Sequence, residues 1–122
     1  MSRFQAYPYH PILKNAWEYE VFTLSFYQSP TEEFEPFIDL TLKKENVFRC
    51  LRFHCPRDLE IGRGFPAKPG GFCIFDLSLT ANDGLGVRVD DLRGGEGTVR
   101  FWARDVVEIG HFTRVNDALK FE

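Results

Sequence analysis

The sequence predicts an all-β protein: one antiparallel β-sandwich or barrel of about seven or eight strands, a jelly-roll- or cupin-like barrel being the closed form. Three observations predict it. Thirteen Phe, four Tyr and two Trp among 122 residues favour pleated, half-buried surfaces, while methionine appears once and alanine is scarce. Short runs of alternating apolar and polar residues recur, each closed by a polar or Gly/Pro-containing turn. No strands alternate with helix-length amphipathic segments, as a parallel sheet would require. The length suits a single domain over 1–122, and no repeat or linker divides it.

Residues 1–16 read as an irregular arm, because Pro8 and Pro11 block a regular helix or central strand. Phe4, Tyr7, Tyr9, Ile12 and Leu13 predict that this arm packs on the body. Residues 17–26 (WEYEVFTLSF) read as a strand whose apolar phase switches near Val21 and Phe22, as a bulge would cause. QSPTEEFEP is a polar break with room for one helical turn. FIDLTL (37–42) alternates cleanly, KKEN is a turn, and VFRCLRFH (47–54) is the next strand. Residues 55–71 are rich in Gly and Pro and read as a loop with one short strand at 59–61. FCIFDLSL (72–79) begins apolar on both faces, as a central strand does, and TANDG is a turn.

The last hairpin can be registered from its side chains. Pairing Leu92 with Thr98 sets Val89 opposite Phe101 and Val87 opposite Ala103 on one face. On the other face Asp90 meets Arg100 and Arg88 meets Trp102. One register thus satisfies the apolar face, an ion pair and a cation–π pair together, and a one-residue slip destroys all of them. VVEI continues this strand or begins another, and the tail ends in a helical turn or a last short strand.

The formal charge of −3 argues against bulk attraction to nucleic acid or anionic membrane. The segment 47–104 is mildly basic, with nine bases, eight of them Arg, against seven acids. No 18-residue apolar run predicts a membrane helix, and the first residues lack a signal-type apolar stretch. With three cysteines that cannot all pair, the expectation is a cytoplasmic protein with reduced thiols.

FRCLRFHCP (48–56) concentrates soft ligands, yet its spacing is wrong for a metal. On a strand Cys50 and His54 share a face about 13 Å apart, whereas ligands of one zinc ion lie within roughly 4 Å of each other. No CxxC and no HxH pair occurs. The expectation is therefore no metal ligand and no cofactor, with Cys50 and Cys73 as buried strand residues. No GxSxG elbow is present, and adjacent strand residues His54 and Cys55 point to opposite faces, so no catalytic residue is assigned. IGRGFPAKPGG resembles a phosphate loop, but a strand rather than a helix follows it.

The candidate binding surface is the stripe Arg88, Arg100, Trp102 and Arg104 on the polar face of the hairpin, extended by Arg49 and Arg52 from another strand. Trp and Arg are enriched at interfaces. The first expectation is a non-enzymatic module that binds a second copy of itself, as a dimer, or an unknown protein partner. The second is a small-molecule or enzymatic site in a barrel mouth over 54–71, rimmed by His54, Asp58, Glu60 and Arg63. The third, disfavoured by the net charge, is single-stranded nucleic acid on the Arg/Trp face.

Overall fold

The structure, a computed structural model, describes residues 7–28, 30–31, 34–63, 65, 70–78, 84–92 and 98–114. After a short 3-10 turn at Ala16–Glu18 come eight strands: β1 (Glu20–Tyr27), β2 (Phe37–Lys44), β3 (Val47–His54), β4 (Arg57–Ile61), β5 (Phe72–Asp76), β6 (Val87–Asp91), β7 (Val99–Ala103) and β8 (Asp105–Phe112). They form two four-stranded antiparallel sheets, ordered β1-β2-β3-β8 and β4-β7-β6-β5. Among the described residues no hydrogen-bonded pairing joins the edge strands of one sheet to those of the other, so the fold is a sandwich and the barrel alternative does not hold. No described helix is long and apolar enough to cross a membrane.

The interior between the sheets is lined by apolar side chains. Ile38, Leu40, Leu42, Leu51 and Phe53 from one sheet meet Ile74, Val87, Val89, Phe101 and Ala103 from the other, all fully buried. Phe53 and Phe101 contact edge to face, with centroids 5.0 Å apart. A site over 54–71 would therefore not sit in a barrel mouth, and residues 64 and 66–69 of that stretch lie outside the described residues.

The bulge expected in the first strand lies between Val21 and Thr23, although the strand starts later than predicted, at Glu20. It sets both Val21 and Leu24 toward the core, opposite Leu42 and Leu40. Without the extra residue one of them would face solvent. β2 and β3 meet in a two-residue turn whose Glu45 adopts φ 52°. No helical turn forms among the described residues of the 28–36 break.

β3 and β8 pair in one sheet, then both chains bend at a shared corner and pair again in the other sheet as β4 and β7. VVEI thus begins a new strand, separated from β7 by Arg104 alone. At the corner Cys55 takes φ 52° and donates its backbone N–H to Pro36 O at 2.9 Å. The Arg104 N–H donates to His54 O at 2.9 Å, holding the two bends together. The hairpin β6–β7 has the predicted register, with Val87 opposite Ala103, Arg88 opposite Trp102 and Val89 opposite Phe101.

The described part of the arm packs on the body as expected. Tyr9 bridges to Phe75, His10 N–H donates to Ile74 O and Asp76 N–H donates to Pro8 O, so the arm covers the outer edge of β5. Proline is tolerated there because an edge segment needs only part of its ladder. The tail from 115 onward, residues 93–97 of the last hairpin loop, and Phe4 lie outside the described residues.

Candidate functional site

Three surfaces of the sandwich carry chemistry. The first is the polar face of the β6–β7 hairpin. The Arg88 guanidinium lies 4.7 Å over the Trp102 ring, and Arg100 Nε donates to Asp90 Oδ1 at 2.8 Å. Arg88 Nε is 3.7 Å from Asp90 Oδ2, and burial lowers the Arg88 pKa. β4 lies beside this face, where Asp58, Leu59 and Glu60 wall a depression of about 420 Å³ over Arg88 and Trp102. The acids interleave with the bases, so the face presents no uniform positive field to a phosphate backbone.

Three residues expected on that stripe are elsewhere. Arg104 sits at the corner after β7, where the chain has left the sheet. Arg49 and Arg52 belong to the opposite sheet, ion-paired to Glu108 and Asp39 respectively. The proposed rim is also divided. His54 lies on the outer face of the first sheet, Asp58 and Glu60 lie beside Trp102, and Arg63 is exposed in the turn after β4. Alternation of side chains explains the split, because the bend between β3 and β4 sends the two segments to different sheets.

The second surface is a groove of about 410 Å³ where β1, β2 and β3 end, lined by Tyr27, Phe34, Glu35, Phe37, Arg52 and His54. Tyr27 and Phe37 are cross-strand neighbours with rings stacked at 4.9 Å, and the Arg52 guanidinium lies 4.0 Å over Phe37. Arg52 is fixed in turn by a bidentate bond to Asp39, with donor–acceptor distances of 2.9 and 3.0 Å. Behind the groove, Arg104 clamps both Glu35 oxygens at 2.7 and 2.8 Å and donates from Nε to Asp105 at 3.1 Å. Asp105 Oδ1 stands 2.5 Å from His54 Nδ1.

These bonds set protonation states. The Arg104 hydrogen bonds hold the Glu35 carboxyl below the usual range. Burial would raise Asp105, but hydrogen bonds from His54 and Arg104 outweigh it and hold that carboxyl low as well. An ionised Asp105 accepts from His54 Nδ1–H, which holds the ring with Nε2 as its other polar atom. The Tyr27–Phe37–Arg52 stack and the Glu35–Arg104 clamp were not expected from the sequence. The available signal was that Tyr27 and Phe37 flank one polar break, the position of neighbours across a hairpin.

Cys50 is buried beside Thr41, with Sγ and Oγ1 3.3 Å apart, while Cys73 is buried in the other sheet and Cys55 lies at the corner. No group of three His, Cys, Asp or Glu among the described residues could hold a metal ion.

The third surface is the outer edge of β1. Phe22, Phe26 and Tyr27 on this strand are 38%, 47% and 41% exposed. Comparison with protein-family models, characterised proteins and solved structures finds no match, so function is read from these three surfaces alone.

Proposed function

We propose that this protein is a non-enzymatic binding module that works by self-association, pairing β1 with β1 of a second copy. The observation that carries this reading is the contrast among the four sheet edges. The β5 edge is covered by the arm. The β4 edge is five residues long, bears Arg57, Asp58 and Glu60, and has an irregular register. The β8 edge carries Asp105 and Glu108 and pairs with its neighbour through a bulge. Those are the devices by which proteins blunt exposed edges. Among the described residues β1 carries a bulge, and no charge interrupts Val21 to Tyr27. Its exposed aromatics flank an edge that no other described segment pairs with.

A charge-free edge with which no other described strand pairs is a template for another strand, with main-chain hydrogen bonds supplying affinity and flanking side chains specificity. Antiparallel pairing of two β1 strands would join two four-stranded sheets into one and shield Phe22 and Tyr27 from water. Equilibrium sedimentation over a micromolar to millimolar series tests it. Wild type should show a concentration-dependent dimer. Ser25→Lys should be monomeric throughout, because a lysine in mid-edge meets its symmetry mate. Within one chain that lysine is accommodated, since the β2 neighbour of Ser25 is Asp39. A wild type that stays monomeric, or a variant that dimerises equally well, removes the proposal.

A further inference from the structure

The groove at the ends of β1, β2 and β3 has chemistry of its own, complete within one copy of the chain. We infer that it is a small-molecule site for a neutral, planar aromatic ligand of one or two rings carrying an N–H or O–H donor.

Size and shape come first. Its volume of about 410 Å³ falls inside the 300–1,000 Å³ typical of ligand sites, at the end that suits one or two rings. The apolar platform is built in advance. Phe37 is held by both the Tyr27 ring and the Arg52 guanidinium, so it loses no freedom when a ligand arrives. Phe34, at 63% exposure, and Tyr27, at 41%, are the aromatic surfaces that remain open to stack on a flat ring.

Charge excludes the alternatives. The two guanidiniums at the site are already committed, Arg52 to Asp39 and Arg104 to Glu35 and Asp105. Three carboxylates against two guanidiniums would repel an anion. An ammonium would find both Glu35 oxygens turned toward Arg104. Beside the engaged Glu35 and Arg52, the polar side chain lining the groove is His54. Its Nδ1 is engaged by Asp105, so Nε2 is the ring nitrogen left for a ligand, and in the neutral imidazole it accepts from a donor. Fixing the ring by a hydrogen-bonded carboxylate is the means by which proteins aim an imidazole.

The test is an amide and imidazole nitrogen NMR titration with 4-methylphenol, toluene and benzoate as probes. It is run on wild type and on the Ser25→Lys chain, because Tyr27 belongs to both β1 and the groove. With 4-methylphenol, the resonances of Phe34, Glu35 and Phe37 should move and saturate, and the His54 Nε2 resonance should move with them. Toluene, matched in shape but lacking the donor, should bind roughly fivefold more weakly. Phe34→Ala, a change at an exposed position that leaves the fold intact, should weaken 4-methylphenol by a similar factor. Saturable shifts in Ser25→Lys keep the inference whether or not the chain dimerises. Toluene binding as tightly as 4-methylphenol, benzoate binding more tightly, or shifts that miss the groove or fail to saturate would overturn it.

Discussion

At the scale of single residues, the three thiols differ because their surroundings do. Burial, with Asp91 and Asp90 nearby, pushes the Cys73 thiol up to about 12, so it stays protonated and inert at neutral pH. Cys50 is sealed beneath the outer face of β3, next to Thr41. Cys55, partly exposed at the corner, is the one a reagent can reach. Iodoacetamide at mildly alkaline pH should therefore label Cys55 alone in the folded protein and all three after denaturation, as read by peptide mass mapping. Native labelling of Cys73 at a rate near that of Cys55 would contradict this account. The sequence placed Cys50 and Cys73 in strands and argued their burial, because period-2 spacing is local. It said nothing about Asp90 and Asp91 near Cys73, which come from the neighbouring strand β6.

At the scale of elements, the β6–β7 hairpin shows when register is readable. Its two faces carry different chemistry, so only one alignment satisfies both. The Arg88–Trp102 pair, at 4.7 Å, should show a coupling of about 0.5–1 kcal/mol in a double-mutant cycle with Arg88→Ala and Trp102→Ala. Chemical denaturation of the four proteins measures it, and additivity within about 0.3 kcal/mol would mean the ring contact is passive. β1 shows the opposite case. The phase switch at Val21 and Phe22 announced a bulge, but the strand begins three residues later than expected because Ala16–Glu18 turns as a 3-10 segment. That turn buries Ala16, and Tyr19 just beyond it is buried too, so the same apolar residues serve a turn as well as a strand.

At the scale of the whole molecule, the corner that joins the two sheets is held by ion pairs as well as by packing. Glu35 and Asp105 titrate below their usual ranges in the folded state. A folded-state pKa below the unfolded value means that the stabilisation is present above the unfolded pKa and is lost as pH falls through the folded one. Melting temperature should therefore drop as pH falls below about 4. Glu35→Gln should be less stable than wild type at neutral pH, and the two should converge in acid. The gap at neutral pH should narrow in salt, since Glu35 is exposed. Thermal melts across pH and ionic strength check both effects, and a constant gap down to pH 2 would show that the clamp is not electrostatic.

The sequence by itself determined the fold class, most strand positions and the register of one hairpin. Each follows from side-chain alternation and cross-strand pairs within a few residues, which burial enforces locally. It could not determine that the sheets remain open, or that β3 and β8 would lie side by side. That pairing sets His54 against Asp105, 51 positions away, and the corner brings Arg104 to Glu35, 69 positions away. Closing such distances costs chain entropy and is recovered only when two apolar faces seal together. The groove exists because the sheets pack and bend as they do, and no local pattern in the chain encodes it.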